Sequence, residues 1–421
     1  METKRRAALG FIFITVLLDM LAFGIIAPVM PRLVSDFLHG NMASASKYMG
    51  LFVTTWALMQ FFCSPILGML SDRYGRRPVV LLSNFGLGLD YIVMALAPTI
   101  GWLFLGRVLS GITSSSMPTA NAYISDVTPP EKRAKAFGIF GAAFGVGFIL
   151  GPAIGGWLGT INPRLPFWVA AAFSLLNATY GLFVLPESLP PEKRQTELRW
   201  KSANPVGALK LLRSHRELFG LAIVNLLGYL AHEVYATVYV LYVTYRYSWN
   251  EKQIGTSLAI VGITSMVVSA GLVGPFVKLV GERRSLFTGL FLGGLGFFMF
   301  GYASVGWLFL LAILVNAFWS LAGPPSQSMM TQRVSASEQG ELQGAIGSMR
   351  GMAMIVGPLM FSSVFAFFVA PEHVFPGAPW YLAATLLGAA LVVAWIVAPK
   401  TAIRIPPPLT PEIVAEDSPL A

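Results

Sequence analysis

The sequence predicts an all-α polytopic membrane protein of twelve transmembrane helices, built as two six-helix bundles related by a parallel repeat. Three observations lead there. Of 421 residues, 55% are hydrophobic and 12% charged, and the mean hydropathy is +0.67, well away from soluble composition. The apolar residues gather into twelve runs, each near the roughly 20 residues a helix needs to cross a hydrocarbon core. A glycine and proline pattern then recurs in the second half of the chain at a constant displacement of 206 residues.

The runs lie at about 9–31, 48–70, 79–97, 102–124, 136–158, 166–186, 217–243, 253–275, 286–303, 307–330, 341–363 and 379–398. The first starts after Lys4, Arg5 and Arg6, is too long for a signal-peptide core and lacks a small-residue cleavage site, so it reads as a retained helix. Between the sixth and seventh, Pro186, Pro190 and Pro191 precede a polar stretch that reads as a linker. The expected organisation is an N-terminal bundle over 1–186, a cytoplasmic linker over 187–216, a C-terminal bundle over 217–400 and a cytoplasmic tail over 401–421. With the N-terminus inside, only Arg32, Lys47, Arg164, Arg246 and Lys252 fall in outer loops, and Arg107 and Arg350 fall within spans. The remaining Lys and Arg are on the inner side, so the positive-inside rule puts both termini in the cytoplasm.

The repeat carries Gly138, Gly141, Gly145, Gly151 and Pro152 onto Gly344, Gly347, Gly351, Gly357 and Pro358, and also Gly68 onto Gly274, Gly75 onto Gly281 and Arg77 onto Arg283. Six spans per half means both halves enter the membrane the same way, with a substrate path between them. Other classes find little support. The net charge of +9 is spread over short loops, which argues against nucleic acid as a partner. A single cysteine, Cys63, allows no intramolecular disulfide and no cysteine-based metal site. No metal-ligand spacing, nucleophile-base set or phosphate-binding loop is visible, so neither an enzyme, a metal site nor a bound cofactor is expected, and ATP-driven pumping is disfavoured.

Five ionisable side chains fall inside spans: Asp19, Asp90, Arg107, Glu233 and Arg350. Each costs at least about 2.5 to 3.5 kcal/mol at mid-bilayer and is normally retained only against a partner or a cavity. Asp19 reads either as a substrate or proton site or as part of a buried pair. Asp90 has a hydrogen-bonded structural role as its alternative, and Arg107 a static bridge to an acid. In span 7, Asn225, Tyr229, His232, Tyr235 or Ala236, and Tyr239 recur at spacings of three and four, a polar and aromatic face expected to look into the cavity. Glu233 lies about 100° from His232 on the helical wheel, and is expected to pair with Arg350.

Span 5 carries glycines at 147, 151, 155 and 159, a ladder that permits close helix approach, with Pro152 allowing a bend. Between spans 2 and 3, Gly68-Met69-Leu70-Ser71-Asp72-Arg73-Tyr74-Gly75-Arg76-Arg77 places four charges in a very short surface loop. This decapeptide resembles the helix 2/3 loop of the major facilitator superfamily. The span 5 set Gly141, Gly145, Gly151, Pro152, Gly155 and Gly156 resembles the motif of its antiporter branch. Asp19 with Gly24 and Pro28, Gln60, Leu89-Asp90-Tyr91, Leu105-Gly106-Arg107, Leu109-Ser110-Gly111, and Leu342-Gln343-Gly344 look like the tetracycline/proton antiporters. The likeness is close in the first half and looser in the second.

That resemblance implies proton-coupled export of amphipathic drug-like compounds across a bacterial inner membrane, by a monomer that uses the proton gradient and no cofactor. It makes Gly68, Asp72, Arg73, Gly75, Arg76 and Arg77 the gating loop, and Asp19, Asp90 and Arg107 intramembrane groups serving drug or proton. A proton-coupled metabolite importer and, further off, a non-transporting receptor on the same fold are the alternatives. Where the tetracycline exporters have a histidine on helix 8 and an acid on helix 9, this chain has Ser265 and Gly293. The departure implies that any C-terminal contribution has moved to His232, Glu233 and Arg350.

Overall fold

In the computed structural model the polar break at each span end becomes a helix boundary. The structure describes residues 2–114, 116–195, 209–212, 216–335 and 338–398. The expected tail over 401–421 and most of the expected linker lie outside the described residues. Twelve membrane crossings follow in order. The first, α1, is Glu2–Ile26, continued after a turn by Met30–Phe37. Then come α2 (Met42–Tyr74), α3 (Arg76–Leu96), α4 (Ile100–Thr113 and Ser116–Val127), α5 (Pro130–Ile161) and α6 (Leu165–Val184). The second half holds α7 (Arg216–Thr237 and Tyr239–Tyr247) and α8 (Glu251–Val267, a π turn over Val268–Leu272, then Val273–Val280). It ends with α9 (Glu282–Tyr302), α10 (Gly306–Ala317, Phe318–Leu321 and Gly323–Thr331), α11 (Gln339–Phe368) and α12 (Ala378–Val397).

Among the described residues eleven of these helices are long and apolar enough to cross a membrane; α4 makes the remaining crossing in two pieces. Several helices outrun the apolar runs that announced them, α2 and α5 most of all, because the polar residues at their ends continue the helix beyond the hydrocarbon. Polar caps finish such ends. Asn41 accepts from Ser44 N at 2.9 Å where α2 begins, and Asn250 with Gln253 forms a reciprocal box where α8 begins, satisfying donors that the first turn leaves open.

Within the first half α1 packs on α5 and α6, α3 on α4 and α6, and α2 on α4. In the second, α7 packs on α11 and α12, and α9 on α10 and α12. Two seams join the halves, α2 with α11 and α5 with α8. Under the repeat α2 corresponds to α8 and α5 to α11, so the seams are one contact formed twice about a pseudo-twofold axis. Small residues make both. A Cβ on Gly50 would come within 2.6 Å of Ser362 Cβ, and one on Gly156 within 3.0 Å of Gly255 Cα; Gly156 and Ser362 are themselves repeat equivalents.

Both seams are tight at one end only. Near the α2 start, Ser46 Oγ donates to Ser362 O at 2.9 Å and Thr54 Oγ1 to Ile355 O at 3.0 Å. Toward the end bearing the 68–77 loop, α5 and α8 diverge: a Cβ on Gly156 would meet α8 backbone, one on Gly145 reaches only Met266 Sδ at 3.9 Å, and one on Gly141 would meet nothing within 4 Å. Gly347 on α11 likewise faces open space. The structure is therefore closed at the end where α2 and α8 begin and open at the loop end.

Inside each half the glycine ladder does the packing. A Cβ on Gly151 would sit 2.7 Å from Gly24 Cα, and one on Gly147 2.6 Å from Met20 Cβ, both on α1. Gly357, the repeat equivalent of Gly151, presses on Glu233 of α7 in the same way. Overpacking such a contact costs about 1–3 kcal/mol. Gly151→Ala should therefore lower the melting temperature of the detergent-purified protein, while Gly388→Ala on α12, where a Cβ meets nothing within 4 Å, should not. Equal melting temperatures for both variants would mean that the α1–α5 approach is looser than drawn.

Candidate functional site

The loop between α2 and α3 turns at Gly75, whose φ of +108° is open to glycine and strained for other residues; its equivalent Gly281 has φ +84°. The turn brings the loop charges into one network. Arg76 pairs with Asp72, one helical turn earlier, and its Nε donates to Asp126 Oδ2 at 3.1 Å. The carboxylate of Glu187 accepts from Arg76 N at 2.8 Å and Arg77 N at 3.2 Å, so an acid beyond the end of α6 caps the start of α3. Arg77 Nη2 donates to Leu182 O at 2.6 Å, and Gln195 N to Asp72 O at 3.1 Å. Arg73 lies over the Tyr74 ring, 5.4 Å from its centroid. No side chain of the second half joins this network among the described residues.

Sequence reasoning identified the loop but missed Asp126 and Glu187. Their signal was present: an acid in the last turn of α4 and another in Pro186-Glu187-Ser188 are the carboxylates that the neighbouring loop arginines would find. Among the described residues the second half shows no such network. Lys278 stands at the place equivalent to Asp72 and Glu282 at that of Arg76, and Glu282 instead accepts from Ser328 Oγ at 2.6 Å.

In mid-bilayer the N-terminal half holds three charges. Asp90 is fully buried and takes Arg107 Nη2 at 3.2 Å; the same nitrogen lies 3.1 Å from Met94 Sδ. Gly106 lets α4 come close enough, since a Cβ there would be 2.7 Å from Asp90 Oδ1. Asp19, on α1, accepts from Asn177 Nδ2 of α6 at 3.3 Å, and Asn177 Oδ1 accepts in turn from Thr15 Oγ1 at 3.1 Å. Asn177, a buried amide in an otherwise apolar span, was the unused sequence clue. The fields of Asp19, Asp90 and Arg107 converge on Tyr91, so the three charges share one neighbourhood.

The C-terminal half corrects two expectations. Glu233 and Arg350 form no ion pair. Both face the α7–α11 contact, but Gly357 occupies the level of Glu233, and Arg350 lies seven residues away, two turns or about 10 Å along the helix. The polar face of α7 also does not wholly line the cavity. Tyr235 donates to Asn316 Oδ1 at 2.7 Å and Tyr239 to Ser257 Oγ at 2.9 Å, and both rings join an aromatic core with Phe297, Phe300, Phe309 and Trp380. Once their hydroxyls are satisfied inside, large rings gain more from burial than from water. His232 is exposed and Tyr229 half-buried, and the His232 ring lies 5.9 Å from Trp319. At Gly293 a Cβ would be 2.7 Å from Trp319 Cγ, so the indole of α10 takes the space that an acidic side chain on α9 would need. Ser265 is half-buried on α8.

The closed end has a charge contact of its own. Arg32, where α1 ends, pairs with Glu251 in the first turn of α8, joining the two halves. Glu251 is buried while Arg32 is half-exposed, and Gly156 and Gly159 of α5 pack against the same residue. The span 5 glycines thus serve α1 on one side and α8 on the other. Of the motif set, Gly151, Pro152, Gly155 and Gly156 lie in these contacts, and Gly141 and Gly145 lie where the halves part.

Two pseudo-equivalent bundles, closed over one end and open at the other around buried charges, are the architecture of a membrane transporter. The chain belongs to the major facilitator superfamily, whose family model matches residues 12–358 and, in a second match, 221–418. Within it the chain sits among the tetracycline resistance proteins. It is 36% identical over 383 residues to the class C tetracycline resistance protein of Escherichia coli, covering 91% of this chain and 95% of the relative. It is 33% identical over 380 residues to the class E protein of the same organism, covering 90% and 92%. A solved nucleoside transporter superposes with a TM-score of 0.77 at 15% identity, covering 93% of this chain and 100% of that one, a likeness of fold.

Two outcomes follow from this geometry. Glu251 is buried, so removing Arg32 leaves a buried carboxylate without its cation. Arg32→Gln should therefore weaken closure at the α8 start and raise the reactivity of a cysteine placed at Ser35 toward a bulky membrane-impermeant thiol reagent, in a Cys63→Ser background; unchanged reactivity would show that the pair does not hold the halves together. Glu187→Gln should reduce transport several-fold, whereas Glu192→Gln, whose carboxylate is exposed beyond the loop network, should not. Equal rates for the two would remove Glu187 from the loop network.

Proposed function

We propose that this protein exports amphipathic drug-like compounds in exchange for protons, by alternating access between the two bundles. The observation that carries the reading is the one-sided closure of the α2–α11 and α5–α8 seams around the Asp19, Asp90 and Arg107 cluster. A solute in the cavity has one exit, and rocking the halves about those glycine contacts exchanges it for the other. The tetracycline resistance relatives support drug export as the direction. Ser265 and Gly293 leave the choice of drug open to the residues of α7, α10 and α11.

With the termini inside, as the loop charges direct, the open end faces the cytoplasm and the present state receives substrate. The Asp72, Arg76, Asp126 and Glu187 network is then confined to the N-terminal half, free of the second half while the cavity is open. Closing that end brings the loop toward α11 and stabilises the outward-facing state. Asp19 is the proton carrier: as a carboxylate it accepts from Asn177, and protonation cancels its charge when the cavity faces the acidic side. Arg107 pairs with Asp90 beside it. The reading calls for no cofactor, and one chain in a bacterial inner membrane suffices because both halves of the cavity belong to it.

The proton gradient is large enough. One proton contributes about 1.4 kcal/mol per pH unit and about 2.3 kcal/mol per 100 mV, so a single proton per cycle sustains more than a tenfold substrate gradient. In everted vesicles made acidic inside, a diverse drug panel should include compounds that accumulate and are released by an uncoupler. If no compound accumulates, export by proton exchange is wrong. Asp19→Asn should abolish uphill accumulation, and Asp72→Asn should cut transport severely while the protein remains inserted. An Asp19→Asn protein that still concentrates drug would move coupling to Asp90 or Glu233.

A further inference from the structure

Of the five charges within the membrane spans, Asp19, Asp90 and Glu233 are buried and Arg107 is half-buried against Asp90, but Arg350 is exposed. Among the described residues no carboxylate lies within ion-pair distance of Arg350, and it makes no side-chain hydrogen bond to them. It stands on the face of α11 that carries Gly357, hence toward α7, and toward the open end from the Gly357–Glu233 contact. Its charge acts on Tyr229, His232 and Glu233. A guanidinium held at this depth without an internal counter-ion is costly to retain unless it serves a ligand.

About two turns further from the open end, α7 and α10 present an aromatic surface. The exposed His232 ring lies 5.7 Å from Tyr235 and 5.9 Å from Trp319, and Trp319 stacks edge-on against Phe297, 5.5 Å away, which holds the indole in place. Gly228 keeps α7 flat beneath it, since a Cβ there would be 3.7 Å from Trp319 Cζ2. At the α2–α11 seam, Phe61 lies against Gly351, the residue after Arg350.

We propose that Arg350, with His232 and Trp319, is the docking site for the anionic group of an aromatic organic acid: a carboxylate or enolate on the guanidinium and the ring system on the aromatic wall. This rests on the reading of the cavity as a substrate path and adds the class of substrate to it. The sign of the charge decides the class. A cationic drug entering from the open end meets an uncompensated guanidinium, while the three acids that could attract it are buried, Glu233 behind Gly357, Asp90 bridged by Arg107 and Asp19 bonded to Asn177. A planar two-oxygen anion matches the guanidinium fork, and the fused or extended ring gains the stacking that a small inorganic anion could not use.

The test uses the full-length protein in everted proteoliposomes with an acidic lumen and three probes sharing one ring system: 2-naphthoate, its methyl ester, and 2-naphthylmethylammonium. Wild type should transport the carboxylate in preference to the ammonium. Arg350→Gln should lower carboxylate transport by about tenfold or more, the loss expected of a charge-assisted paired hydrogen bond. Arg350→Lys, which keeps the charge and loses the fork, should recover part of it, and Trp319→Ala should weaken carboxylate and ester alike. A melting curve for each variant separates loss of recognition from loss of folding, and the Lys variant keeps the test open if Gln unfolds. Preference for the ammonium, or undiminished carboxylate transport by Arg350→Gln, overturns the anion site while leaving proton-driven export standing. Failure of all three probes, when other drugs of the panel are still accumulated, also overturns it; failure of the entire panel overturns the export reading itself.

Discussion

Backbone-to-backbone approach of glycine-bearing helices is the contact on which this molecule is built. In lipid there is no hydrophobic gain from bringing two apolar helices together, so association depends on dispersion over closely fitted surfaces. Gly147, Gly151 and Gly155 bring α5 onto α1, and Gly156 turns the other side of the same helix onto Gly255 of α8. One helix thereby belongs to the rigid body of its own bundle and to the seam with the other. Small side chains at such a seam interlock little, which lets the two bodies rock there without unpacking their interiors.

Charge is distributed so that this rocking has defined end states. Arg32 and Glu251 bridge the bundles at the closed end, where opening must separate them. At the other end the loop acids and arginines satisfy one another within the N-terminal bundle, so the cavity stays open without leaving charges unpaired. The repeat does not extend to this network. Gly75 and Gly281 share their left-handed backbone, but Lys278 replaces the acid at the second position. The turn was duplicated as geometry and retained its chemistry in one half only.

The two halves also divide the intramembrane chemistry. In the first, Asp90 with Arg107 and Asp19 with Asn177 form a buried polar core that is largely satisfied by protein groups. The second is dominated by rings: Trp319 fills the space over Gly293, and Tyr235 and Tyr239 turn inward to their hydrogen-bond partners. Among the described residues, the exposed charge within the spans of the second half is the Arg350 guanidinium, beside an aromatic wall, a surface suited to recognition more than to proton transfer.

Hydropathy, loop charge and the repeat determined the twelve helices, the division into halves and the tight charged turn at 68–77, because each is a local property: span length is set by the bilayer and a tight turn by glycine. The sequence also identified Asp90 and Arg107 as groups needing partners, since an unpaired charge in lipid is too costly to ignore. Only the tertiary structure decided who the partners are. Glu187 reaches Arg76 from more than a hundred residues away, Arg32 reaches Glu251 across the two halves, and Glu233 and Arg350, complementary in charge and adjacent on paper, are kept apart by the register of α7 against α11. Helical periodicity states which way a side chain points on its own helix. The vertical offset between two helices is set by where their small residues interlock, and that is a property of the packed pair.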